Sequence, residues 1–391
     1  MKRYAEKGFC TVLLLLCMLS AALYRPVTAN AKDAADKTVY AAFGDSIAAG
    51  YGLDGYSHKQ TSAPPDSYQG LLGSFLQTSS ANYAVSGSDS SDCIKLLNAG
   101  TADADLKKAD LITLSIGSND LLLPFIEIVM DYFEIDPDSI DASSSADGFE
   151  MPKIDLSDFM QYYQKSEALI AELSDHPVLH KQAAAFPKKL ENILSILHQK
   201  APNAEIYVTN IYNPFIDIPV IGALAENYIS EINQAFSSRS EDYTLIDVYT
   251  PFSRSELTNI HFDMKKPADI NLDPHPSIKG HKTIADLLIS ALQKAHAPKA
   301  AALRSVKSDS RHKLTASVKL PDGCDGYQIL YSAAKKGSYK VLAAASKKTY
   351  TTNSAKLKSG KTYYIKVRSV KTIKGVDYYG KAGAAKKILI K

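Results

Sequence analysis

Ser46 stands in the stretch Phe43-Gly44-Asp45-Ser46-Ile47-Ala48-Ala49-Gly50-Tyr51-Gly52, directly after the apolar run Val39-Tyr40-Ala41-Ala42-Phe43. A serine hydroxyl becomes a nucleophile when a base within hydrogen-bond reach can take its proton. The carboxyl end of a buried strand is where an open α/β sheet keeps its ligand crevice, and Gly44, Gly50 and Gly52 let a substrate approach the backbone. The same residues also fit a plain strand-to-loop turn whose serine caps something. His275, one of nine histidines, lies between Pro274 and Pro276. Taken alone it reads as a structural histidine as readily as a base, and His281 is the structural kind. Asn119 in Gly117-Ser118-Asn119-Asp120 is either a neutral N–H donor or a helix cap, and Gly87, after Asn82-Tyr83-Ala84-Val85-Ser86, is either a point of close approach or a turn glycine.

The elements that must position these residues alternate. Apolar runs at 39–43, 81–85, 111–116, 206–211 and 245–248 read as five strands. Between and after them, apolar residues recur at helical spacing: Tyr68, Leu72 and Leu76; Leu190, Ile193 and Leu197; Leu224, Tyr228, Ile232 and Phe236; Ile284, Leu288 and Leu292. Strands alternating with helices predict a three-layer α/β/α domain on a mostly parallel five-stranded sheet. Near-continuous apolar strands agree, since such strands are covered on both faces. One stretch breaks the rhythm. About 65 residues between Asp120 and Pro187 carry no strand signal, being apolar at 121–133, then acidic and serine-rich at 136–158. A helical insertion over about 121–187 is expected, either a lid or substrate cap, or a decoration without a chemical role.

Four segments in order, Phe43 to Gly52, Asn82 to Gly87, Gly117 to Asp120 and Asp273-Pro274-His275-Pro276, resemble the four sequence blocks of the SGNH (GDSL-type) hydrolases. The resemblance spans roughly residues 38–297 and implies the flavodoxin-like SGNH fold. It implies Ser46 as nucleophile, His275 as base, and an oxyanion hole made of the Ser46 and Gly87 backbone N–H groups with the Asn119 side-chain amide. It implies no cofactor. The acid is less regular: the usual Asp-x-x-His spacing would place it at Leu272, whereas Asp273 stands two residues before His275. Asp273 is the expected orienting acid; Asp269, or a backbone carbonyl near Leu272, are the alternatives. Asp45 and Asp120 read as structural. The chain lacks a Gly-x-Ser-x-Gly elbow, a phosphate-binding loop and a dinucleotide fingerprint.

Residues 1–31 read as a secretory signal peptide: Lys2, Arg3 and Lys7, an apolar core, then Ala29-Asn30-Ala31. The expected product is secreted and bacterial, released or held at the cell wall. Of four cysteines, Cys10 and Cys17 fall in that leader, and Cys93 and Cys324 are too far apart in sequence to suggest a disulfide framework. No Cys/His cluster has metal-ligand spacing, so no metal site is expected.

Charge divides what remains. Residues 32–297, the expected hydrolase domain, hold 19 Lys and Arg against 37 Asp and Glu; residues 298–391 hold 22 against 4, so the two carry −18 and +18. The basic segment alternates like strands with one solvated face, at 313–318, 326–331 and 362–368. Leu357-Lys358-Ser359-Gly360-Lys361-Thr362-Tyr363 resembles the approach to the tyrosine-corner strand of a fibronectin type III module, implying a small β-sandwich. Its charge invites an anionic partner, wall polymer or lipid, or is only a solubilising coat; no nucleic-acid partner is expected. The function expected is a lipase-like or carboxylesterase activity by acyl-enzyme chemistry. The alternatives are an acetylesterase acting on wall or plant polysaccharide, and a non-catalytic surface-binding protein on a hydrolase scaffold.

Overall fold

The computed structural model describes residues 37–58, 61–132, 166–216, 221–238, 242–253, 258–261 and 273–391. The signal-peptide reading, the whole acidic stretch of the insertion, Asp269 and Leu272 lie outside them. Residues Lys37–Ala295 form one compact unit, and His296–Lys391 belong to another.

The first unit is built on strands β1 (Tyr40–Gly44), β2 (Ser80–Asn82), β3 (Leu111–Ser115), β4 (Glu205–Thr209) and β5 (Thr244–Ile246), in the order β2-β1-β3-β4-β5. Every neighbouring pair is parallel. All residues of β1 and β3 are buried, so their apolar runs are covered on both faces. The helices fall into two groups. Helix α2 (Tyr68–Leu76) packs on α10 (Ile278–Ala295); α7 (Pro177–Lys200) packs on α3 (Ser90–Asn98), α5 (Ser118–Tyr132) and α8 (Ile221–Ser238). Shorter helices α1 (Ser46–Ala49), α4 (Asp103–Leu106), α6 (Ser166–Leu173) and α9 (Tyr249–Ser253) complete the unit. This is the expected α/β class.

Boundaries differ from the sequence reading in ways with physical causes. The second strand closes at Asn82, three residues early, yet Tyr83 N–H still donates to Ala42 O (2.8 Å) and Val85 N–H to Gly44 O (3.0 Å). The segment therefore stays laced to β1 after its ladder ends. Helix α7 begins at Pro177, and Pro187, where the insertion was expected to end, lies inside it. Leu179, Ala183 and Phe186 before that proline share one core with Leu190, Ile193 and Leu197 after it, so a single buried face runs through the helix.

Among its described residues the second unit contains only strands: β6 (Ala302–Ser308), β7 (Leu314–Lys319), β8 (Gly326–Ser332), β9 (Lys340–Ala345), β10 (Thr349–Thr352), β11 (Thr362–Ile373), β12 (Val376–Tyr379) and β13 (Lys386–Leu389). One sheet runs β10-β7-β6, the other β12-β11-β8-β9 with β13 also on β11, and all pairs are antiparallel. Leu314, Ala316 and Val318 of the first sheet share one core with Ile329, Ile365 and Val367 of the second. Among the described residues, no helix is long and apolar enough to cross a membrane.

Candidate active site

Strand β1 delivers Ser46 through a turn that only glycine can make. Gly44 has φ +146°, and a Cβ there would lie 2.1 Å from Ser115 O. With that Cβ absent, Asp45 N–H donates to Ser115 O (3.1 Å), locking the end of β1 onto β3. Asp45 then caps α1, its carboxylate accepting from Ile47 N–H at 3.0 Å. Ser46 is the first residue of that helix.

His275 arrives from the far end of this unit's sequence, in the loop before α10. Four bonds hold the loop: His261 N–H to His275 O (2.9 Å), Ser277 N–H to Asn259 O (2.9 Å), Ser277 Oγ–H to Thr258 O (2.8 Å) and the Tyr212 hydroxyl to Pro274 O (2.6 Å). A Cβ at Gly280 would sit 1.9 Å from Asn259 O, so glycine at that position is what lets residues 258–261 lie this close. The result puts His275 Nε2 2.9 Å from Ser46 Oγ. On the other side of the ring, Nδ1 lies 2.5 Å from Asp273 Oδ1, which also accepts from His275 backbone N–H at 2.9 Å. A proton on Nδ1 shared with the carboxylate leaves Nε2 as the acceptor for the serine hydroxyl. Burial raises the Asp273 pKa, but the hydrogen bonds and charge of His275 outweigh it and hold the carboxyl below its ordinary value. Asp269 and the backbone carbonyl near Leu272, the alternatives to Asp273, lie outside the described residues.

Besides Ser46, the expected oxyanion donors are Gly87, in the loop after β2, and Asn119, at the start of α5. Gly87 has φ +81°, which glycine tolerates without strain, and a Cβ there would meet nothing within 4 Å. Asn119 is buried in the first turn of α5, but its amide does not cap that helix; Nδ2–H donates to Ser88 O at 2.9 Å. Asp120, left as structural by the sequence, ties the same segments. It accepts from Ser90 N–H (2.9 Å) and Ser90 Oγ–H (2.5 Å), and pairs with Lys189 of α7 at 3.0 Å. Tyr51, from the same block as Ser46, sets its ring centroid 4.5 Å from that of His275, whereas Lys189, Tyr212 and Asn259 carried no sequence signal. Each acts through a long-range contact that no local motif reports.

A groove of about 830 Å³, including its open mouth, leads away from this cluster. Ser46, Asn119 and His275 stand on its lining, and the rest is overwhelmingly apolar. Leu122 and Phe125 of α5, Leu179 of α7, and Leu224 and Ile229 of α8 form its walls. The apolar run after Asn119 thus begins one wall of the cavity. Among the described residues, no group of acidic, histidine or cysteine side chains could hold a metal ion.

Burial raises the pKa of Asp45 to about 7, opposed by the Ile47 N–H bond and the charge of His275. Folded-state protons on Asp45 therefore persist to higher pH than in the unfolded chain. Where the folded state binds more protons, stability falls as pH rises. Asp45 should make the protein progressively less stable between about pH 4 and pH 7. Asp45→Asn should flatten that part of the melting-temperature profile; an unchanged slope counts against a protonated Asp45.

Residues 42–283 match the GDSL-like lipase/acylhydrolase family. Solved structures similar to the chain include a lipase from a goat rumen metagenome, 21% identical, covering 65% of this chain and 97% of that one with a TM-score of 0.42. A phospholipase A1 from Streptomyces albidoflavus is 18% identical, covering 66% and 99% with a TM-score of 0.45. A Fn3-like protein from Clostridium thermocellum is 23% identical over 24% of this chain and 92% of its own, with a TM-score of 0.21. No curated protein matches the chain.

Proposed function

Since the chain belongs to the GDSL-like lipase/acylhydrolase family and is an ester-hydrolysing enzyme, we propose that it cleaves esters of medium and long acyl chains through a Ser46 acyl-enzyme. Ser46 Oγ attacks the ester carbonyl while His275 Nε2 takes its proton, and Asp273 steadies the imidazolium that forms. His275 then hands the proton to the leaving alcohol, and water repeats the sequence on the acyl-enzyme. The oxyanion is received by the N–H groups of Ser46 and Gly87 and by Asn119. One Asn119 amide hydrogen is committed to Ser88 O, which orients the amide; the second is left for the substrate oxygen. The donors are set before the charge develops, which is where such groups act most strongly.

The observation that carries the acyl-chain reading is the apolar groove opening at Ser46 and His275. An acetyl group would leave it unfilled, whereas a longer chain removes its methylenes from water at about 0.8 kcal/mol each. Across p-nitrophenyl esters the six added methylenes are worth about 4.8 kcal/mol at that rate, so kcat/KM should rise by roughly a thousandfold or more from acetate to octanoate. A maximum at acetate would discard this reading in favour of a carbohydrate acetylesterase.

In the same reading the enzyme is exported, with 1–31 removed, and carries a fibronectin type III-like module. The tyrosine-corner resemblance supports the module: the Tyr363 hydroxyl accepts from Lys358 N–H, five residues upstream, at 3.1 Å. Protein recovered from culture medium should begin at Lys32; a cell-retained chain with an intact Met1 end would refute export.

A further inference from the structure

The second unit presents one outward face that its core does not explain. On β11, Tyr363, Ile365 and Val367 point into the sandwich, so Tyr364, Lys366 and Arg368 point out. The register sets Lys387 of β13 beside Tyr364, and Leu330 of β8 between Lys366 and Val341 of β9. The cations lie over tyrosine rings: Lys366 Nζ is 4.2 Å from the Tyr339 centroid, and the Arg368 guanidinium carbon 3.9 Å from that of Tyr379. The unit has two exposed large apolar side chains among its described residues, Val341 at 42% and Leu389 at 54%, and both stand on this face. Leu389 faces Thr362 at its edge.

Cations alone would suit any polyanion. Cations mixed with tyrosines and exposed aliphatic side chains suit a bilayer interface, where the charge meets lipid headgroups and the apolar groups enter the acyl boundary. The enzyme's charge distribution bears on the same point. Residues 32–297 carry −18 and are repelled by an anionic surface; residues 298–391 carry +18. An acyl groove acts on substrates that gather in such surfaces.

We propose that this face, the outer side of the sheet β12-β11-β8-β9 with β13, adsorbs the enzyme to anionic phospholipid bilayers. Adsorption holds a catalytic unit that the membrane would otherwise repel near its insoluble esters. Both units belong to one chain, so adsorption of this face confines the catalytic unit to the membrane and raises its local concentration there without any new contact at the active site. This inference rests on the acyl-chain reading of the groove.

Flotation of the full chain carrying Ser46→Ala, so that lipid is not consumed, tests it against vesicles of phosphatidylcholine with and without phosphatidylglycerol. Binding should require phosphatidylglycerol and weaken as salt rises. Lys366→Gln with Lys387→Gln should lower partitioning about 25-fold, at roughly fivefold per cation near the surface. Val341→Ser with Leu389→Ser should lower it severalfold with no change in charge. In the active enzyme, both pairs should slow hydrolysis of vesicle-borne esters while leaving soluble octanoate hydrolysis and the melting temperature unchanged. Equal binding to both vesicle types, or parental binding by either pair, overturns the proposal. So does parental binding by the serine pair with full competition from a soluble polyphosphate, which would make the face a polyanion site. Failure of the groove reading shows separately, in the soluble-ester series.

Discussion

Asp273→Asn is expected to lower kcat about ten-thousandfold with little change in KM. The argument runs through the ring of His275. Its Nδ1 lies 2.5 Å from Asp273 Oδ1, so the carboxylate fixes the tautomer in which Nε2 is bare and can accept the Ser46 proton. Asparagine keeps the shape but offers an amide that can donate to Nδ1, which stabilises the opposite tautomer and leaves a proton on Nε2. It also removes the negative charge that offsets the imidazolium. Substrate binding relies on the apolar groove and the oxyanion donors, which is why KM should hold. A loss below about tenfold would instead assign the orienting role to Asp269 or to the carbonyl of Leu272.

Ser46→Ala should cost more, on the order of a millionfold in kcat, because without the hydroxyl no acyl-enzyme forms. What survives is whatever the oxyanion donors and binding accomplish with water as the attacker. His275→Ala should be about as damaging, and the double variant hardly worse than either single one, since the pair works as a unit. Steady-state kinetics on octanoate ester checks all three. Additive losses in the double variant would mean that serine and histidine act independently, against the 2.9 Å contact between them.

Much of this site can be read from the chain itself, and the parts that cannot share a cause. Ser46, Gly87 and Asn119 each sit in a short block following a sheet strand, and His275 in a proline-flanked block before the last helix of the unit, where a few adjacent residues mark the position. The Asp273 spacing looks irregular in one dimension. In space, its carboxylate bends back to accept the backbone N–H two residues on, as Asx turns do, and the same oxygen meets the ring. Tyr212, residues 258–261 and Lys189 escaped notice because each touches the site across a large sequence gap through an ordinary hydroxyl, carbonyl or ammonium.

The groove was half legible. The apolar run after Asn119 fitted a lid or substrate cap, but the face of α8 reads in sequence as plain core. In the structure that face divides: Ile232 and Phe236 are fully buried, while Leu224 and Ile229, nearer the helix start, line the cavity. An apolar side chain that packs a core and one that lines a cavity obey the same periodicity, so only the fold separates them. The fold itself followed from the alternation of strands and helices. Its errors were at element ends, as at Asn82, where single hydrogen bonds rather than hydrophobic pattern decide the boundary.

The central claim is that the Ser46 hydroxyl, activated by His275, is the nucleophile. The most direct measurement is labelling with a fluorophosphonate, in which the activated oxygen displaces fluoride from phosphorus, followed by peptide mass analysis. A single adduct on the peptide containing Ser46, absent from Ser46→Ala and formed far more slowly by His275→Ala, is the predicted result. An enzyme that hydrolyses esters at full rate while Ser46 stays unlabelled, or that takes the label on another residue, would contradict it.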